Sequence, residues 1–135
     1  MNFVLDASIT LSWCFSDEAT PKTTILLERL ESESAIVPGL WSLEVGNILI
    51  AAEKRKRISY ASIKEFLTLL ENLNIEIDDE IGARGFRDII FLAHSEKLTT
   101  YDAAYLELAM RYGLPLATKD LALIQAAKRV GVKII

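Results

Sequence analysis

Short apolar runs of strand length alternate along this chain with longer segments of helical period, and that alternation leaves few folds open. Asn2 to Leu5 is an apolar run closed by Asp6-Ala7-Ser8, as expected of a buried central strand that feeds a loop. Ala35 to Val37, ahead of Pro38-Gly39, has the same character; Ile75 to Ile77, Leu114 to Thr118 and Val132 to Ile135 complete the set. Strands separated by helices pair in parallel, because each return needs a crossover. The sequence therefore predicts an α/β domain, a central mostly parallel sheet between two helical layers.

The intervening segments carry helix signals. Ser16-Asp17-Glu18 and Pro21 open one whose apolar side includes Ile25, Leu26, Leu27 and Leu30. Leu40, Leu43, Ile48, Leu49 and Ala52 recur at helical spacing, with Glu44 in the first turns, and the segment runs out into Lys54-Arg55-Lys56-Arg57. Ser62 and Glu65 form a capping box, or Ser59 caps instead, before the stripe Ile63, Phe66, Leu67, Leu70 and Leu73. A helical stretch is expected from about Gly82 to Ser95. Thr99 or Thr100 caps another helix, with Ala103, Leu106, Ala109 and Met110 on its apolar side and Gly113 at its end; Leu121 to Val130 forms the last, stopped by Gly131.

The 135 residues fit a single domain, 1–135, and are enough for a hydrophobic core without disulfides or a structural metal. A 51% hydrophobic, 25% charged composition with little Pro or Gly excludes disordered and fibrous classes. A mean hydropathy of +0.26 is high for so small a domain, so part of its surface is expected to be covered, by a second copy in a homodimer or by another protein. No apolar run reaches the roughly 18 residues of a membrane span, and Asp6 stands where a signal peptide would be apolar, so the expected location is cytoplasmic, with no membrane association. Cys14 and His94, one of each, make no zinc site by themselves.

Four acids fall where a strand or loop hands over to a helix: Asp6, Glu44, Asp102 and Asp120. Beyond the carboxyl ends of parallel strands lies the ligand crevice of an open sheet, and Asp6 and Asp120 belong to that edge. Glu44 and Asp102, near helix N-termini, point to it as well. Each alone reads as a cap or a partner of a helix dipole. Together they form a set of hard oxygen ligands suited to Mg2+ or Mn2+, ions that promote attack of water on phosphate.

Val4-Leu5-Asp6-Ala7-Ser8, Pro38-Gly39-Leu40-Trp41-Ser42-Leu43-Glu44-Val45-Gly46-Asn47, Thr100-Tyr101-Asp102-Ala103-Ala104-Tyr105-Leu106 and Leu116-Ala117-Thr118-Lys119-Asp120 follow one another in an order that resembles PIN-domain proteins over essentially the whole chain. The chain is most similar to the VapC-type toxins of prokaryotic toxin–antitoxin pairs. That resemblance implies a three-layer α/β/α PIN-like fold, a Mg2+ or Mn2+ site formed by Asp6, Glu44, Asp102 and Asp120, endoribonuclease activity on an RNA substrate, and a cognate antitoxin partner. It also maps assisting hydroxyls onto Ser8 and Thr118, each of which reads equally well as a helix cap.

The net charge of −4 supplies no general attraction to nucleic acid, so RNA binding has to rely on metal and local cations. Arg84, Arg87, Lys97, Lys119, Lys128 and Arg129 are candidate phosphate contacts, Lys119 foremost; Lys54 to Arg57 read better as a solvated helix end. Trp13, Trp41, Tyr101 and Tyr105 offer rings for base stacking, although their apolar neighbours favour packing. Two other classes remain in view: a PIN-like domain that binds without cutting, and a phosphoacceptor or phosphatase domain with Asp6 as nucleophile. Ser8 stands where such a phosphatase places a second Asp, which disfavours the last.

Overall fold

The computed structural model describes residues 1–135. Its sheet has four strands, β1 (Phe3–Leu5), β2 (Ala35–Pro38), β3 (Ile75–Asp78) and β4 (Leu116–Ala117), all parallel, in the order β3-β2-β1-β4. The expected last strand is reduced to one bridge between Leu116 and Ile134. β1 lies between two neighbours, and Phe3, Val4 and Leu5 are wholly buried, as their unbroken apolar run requires. Burying each such large side chain contributes about 1.5–3 kcal/mol.

Helices α1 (Ala7–Ser12), α2 (Pro21–Arg29), α3 (Trp41–Lys54) and α4 (Tyr60–Glu71) serve the crossovers from β1 to β2 and from β2 to β3. Helices α5 (Ile81–Arg84), α6 (Ile90–Glu96) and α7 (Thr100–Tyr112) carry the chain back past β2 and β1 to β4, and α8 (Leu121–Val130) follows. Because crossovers of this kind are right-handed, the reversal of direction puts α1–α4 on one face of the sheet and α5–α8 on the other. This is the three-layer α/β/α sandwich the sequence predicts.

Local chemistry accounts for the helix ends. Thr20 and Thr23 form a reciprocal capping box with Pro21 at the first position of α2, Ser59 rather than Ser62 caps α4, and Thr99 caps α7. Gly113 (φ 65°) and Gly131 (φ 83°) close α7 and α8 in the left-handed region. Three sequence expectations are corrected. The segment after Asp6 is not a loop but α1, a helix of two turns. The buried face of α3 is Trp41, Val45, Leu49 and Ala52, leaving Leu43 73% exposed. The stretch expected to be helical from about Gly82 is interrupted by a π-turn at Gly85–Ile89.

The chain leaves β1 toward β2 on one side and arrives at β4 on the other, so the sheet's topological switch lies between β1 and β4. That is where an open α/β sheet forms its crevice.

Candidate active site

Asp6 is the first residue after β1, and its backbone N–H donates to the Ala117 carbonyl (3.0 Å), which fastens the ends of β1 and β4 together. It stands at the N-cap position of α1 yet makes no side-chain capping bond. Instead its carboxylate, 5% exposed, accepts hydrogen bonds from Ser8 Oγ (2.7 Å) and Thr118 Oγ1 (2.7 Å), both on Oδ2. The two hydroxyls also accept, Ser8 Oγ from the Lys119 N–H (3.0 Å) and Thr118 Oγ1 from the Asp120 N–H (3.0 Å). They are not helix caps; they stitch the loop after β1 to the loop after β4 through Asp6.

Asp120 is the N-cap of α8, its Oδ1 accepting from the Leu123 N–H (2.9 Å). Here capping and a place at the switch point coexist, because one carboxylate oxygen satisfies the helix and the other is left over. Glu44 lies in the first turn of α3, where Tyr105, wholly buried on α7, donates its hydroxyl to Glu44 Oε1 (2.6 Å). Asp102, in the first turn of α7, donates its backbone N–H to the cap hydroxyl of Thr99 (3.1 Å). Asp6, Glu44 and Asp120 thus share a pattern: one oxygen is held by a protein donor and the other has no side-chain partner.

Electrostatics show that the four charges are felt in common. Burial pushes the Asp102 carboxyl up to about 6, with the charges of Asp120 and Asp6 adding to it. Burial also raises Glu44, aided by Asp6 and Asp102 and opposed by the Tyr105 hydrogen bond. Asp6 is raised by burial against the pull of Ser8 and Thr118. Burial, followed by the hydrogen bond to Glu44, holds the Tyr105 phenol far above its usual range, so it is a permanent donor. No lysine or arginine offsets this charge: every ion pair in the molecule lies elsewhere. Half-desolvated carboxylates without counter-charge are costly, and a bound cation removes the cost.

The donor set fits a hard divalent ion: carboxylate oxygens, with no thiolate or imidazole. No three acidic, histidine or cysteine side chains are gathered tightly enough to enclose an ion as they stand. A cation entering among like-charged carboxylates would reverse the sign of their interaction.

The other expectations divide. Trp41 is buried and donates its Nε1–H to Thr10 Oγ1 (3.0 Å), and Trp13 donates to the Thr23 carbonyl, so both rings pack. Tyr101 is the exception, 60% exposed beside Asp102. Lys119 is turned away, its Nζ donating to the Glu18 carbonyl (2.8 Å). Arg57 pairs with Asp17 and Glu18, Arg129 with Glu96, and Arg84 with Glu80, Asp88 and Glu107. Arg87, Lys97 and Lys128 make no ion pair. Sequence reasoning missed Tyr105 as the partner of Glu44, although its place three residues after Asp102 puts both on one helical face.

A PIN domain family model matches residues 3–129. Among solved structures, PAE2754 from Pyrobaculum aerophilum superposes with a TM-score of 0.70 at 21% identity, over 93% of this chain and 84% of that one. A chain of a toxin–antitoxin complex from Klebsiella pneumoniae superposes with a TM-score of 0.56 at 17% identity, over 88% of this chain and 87% of that one. No curated protein matches.

Proposed function

Because this chain belongs to the PIN-domain family, whose members are generally nucleases, we propose that it is a Mg2+- or Mn2+-dependent endoribonuclease and the toxin of a VapBC-type toxin–antitoxin pair. The observation that carries the metal-dependent reading is the set of four acids at the switch of the sheet, coupled in charge and lacking any cationic partner. In this reading Asp6, Glu44, Asp102 and Asp120 hold the ion. A divalent ion there supplies Lewis acidity to the phosphodiester and lowers the pKa of water. Ser8 and Thr118 restrain Asp6 by occupying Oδ2, and Tyr105 restrains Glu44 through Oε1, leaving one oxygen of each that would be available to an ion. No protein nucleophile takes part: the single histidine, His94, is exposed on α6. Hydrolysis leaves a 3′-hydroxyl and a 5′-phosphate.

The antitoxin partner is supported by the fold shared with a chain of the Klebsiella pneumoniae complex, and by exposed apolar side chains such as Leu43, Ile50 and Phe91. The same surfaces support a homodimer. No helix is long and apolar enough to cross a membrane. We place the protein in the cytoplasm as a single nuclease domain.

The test is cleavage of total RNA by the purified protein. Activity should require Mg2+ or Mn2+, stop with a chelator, and fall on the order of 100-fold or more in Asp6→Asn with the fold retained. A binding-only domain shows no cleavage, and a phosphoacceptor is labelled at Asp6 by a small phosphodonor; either result displaces this reading.

A further inference from the structure

Beside the carboxylates lies an apolar pocket of about 360 Å³ whose walls include Leu40, Ile81, Gly85, Phe86, Ile90 and Tyr101. That volume is within the range of small-ligand sites, about 300–1,000 Å³. None of the four acids lines the pocket, but two of its lining residues neighbour them along the chain. Leu40 is the N-cap of the helix whose first turn holds Glu44, and Tyr101 immediately precedes Asp102. Two aromatic rings at its rim are open to solvent, Phe86 at 87% exposure and Tyr101 at 60%. Tyr60, Phe91 and Tyr112 are exposed too, but only Phe86 and Tyr101 among the exposed rings line this pocket.

The glycines give a second indication. Gly85 has helical dihedrals (φ −62°, ψ −43°), where alanine is favoured by about 1 kcal/mol. A Cβ built there meets nothing within 4 Å, and the same holds at Gly82, which also lines the pocket. Neither backbone conformation nor packing calls for glycine, and what its absence of a side chain preserves is open space. Next to Phe86, Arg87 is exposed and free of ion pairs, a cation available to a phosphate in a protein that is otherwise acidic.

Resting on the nuclease reading above, we propose that this pocket receives the base of a nucleotide flanking the scissile phosphate, stacked against Phe86 and Tyr101, and that it sets the cleavage preference of the enzyme. A single-stranded RNA threading the carboxylate cleft presents unpaired bases on either side of the cut, and unstacked bases are taken up by exposed aromatic faces. The lining is almost wholly apolar, with Thr100 the exception. Selection therefore works by shape and stacking rather than by a hydrogen-bond code.

Two variants test this, Phe86→Ala, which removes a stacking face, and Gly85→Leu, which fills the space. Both sites are at the surface or in open space, so neither substitution disturbs the core. Affinity is read by fluorescence anisotropy with a fluorescein-labelled random-sequence RNA dodecamer, each variant keeping Asp6, with Ca2+ in place of Mg2+ so that an ion is bound but the probe is not cut. Specificity is read by sequencing the 5′ ends of total RNA fragments produced by the same proteins in Mg2+. The expected result is a Kd raised about tenfold, the size that losing one base–aromatic stack carries, and a relaxed nucleotide preference at one position next to the cut. Unchanged Kd and unchanged cut sites, with the parent protein cleaving RNA, overturn the pocket assignment alone. A parent protein that neither binds nor cuts RNA overturns the nuclease reading beneath it.

Discussion

Asp102 is the residue at which the account is most exposed to measurement. Its carboxyl is raised from 3.8 to about 6, so the folded, metal-free protein holds a proton there that the unfolded chain has released. Between those two values stability falls as pH rises, and the loss is complete above about 6. Because the group is half exposed, screening limits the effect to about 1 kcal/mol. Asp102→Asn should therefore stabilise the metal-free protein at pH 7, seen as a higher Tm, while abolishing cleavage. Metal affinity should climb through the same window, since the proton must leave before the ion binds. At this scale the four acids were legible in the sequence because each follows an apolar strand or opens a helix. Tyr105 was not, because its hydroxyl meets Glu44 across two layers of the fold. Tyr105→Phe should lower kcat about tenfold, the effect expected of a group that orients a ligand, with Tm little changed.

Among the elements, helix ends were easier to read than helix faces. Gly113, Gly131, Ser59 and Thr99 end or start helices through chemistry that lies within a few residues, and the sequence displays it. Gly131→Ala should cost about 1 kcal/mol, a few degrees of Tm, because φ 83° is strained for any residue with a Cβ. Faces depend on neighbours in space: Leu43 has the spacing of a core position yet is solvent-facing, because Trp41 and Val45 take the inner side of α3. Helix α1 was hidden because six residues rich in Ile, Thr and Ser carry no helical period of their own; it forms where Asp6, Thr10 and Trp41 tie it to β1 and α3. The π-turn at Gly85–Ile89 has no local signal either, and it is the segment that shapes the pocket beside the carboxylates.

Across the whole molecule, alternating strands and helices foretold the three layers, but not that the last strand would be a single bridge or that an ionic cluster would join the edge of the sheet to α7. Arg111, 15% exposed, pairs with Asp78, Glu80 and Glu107, and Asp78 and Glu107 are more buried still. Its hydrogen bonds to Asp78 hold that carboxyl below the usual range, so this contribution is present above the unfolded pKa and is lost as pH falls through the folded one. Arg111→Met leaves buried Asp78 without an ion-pair partner, Glu107 keeping Arg84, and should destabilise by about 3 kcal/mol in a denaturant titration. The cluster therefore weakens the fold only in acid, whereas Asp102 at the switch weakens it as pH rises from 3.8 to about 6, until a cation arrives. Titration calorimetry of Mn2+ into the purified protein at pH 7 tests that claim directly. Saturable uptake that is lost in Asp6→Asn and Asp102→Asn is the result expected. No uptake, or uptake indifferent to both substitutions, contradicts it.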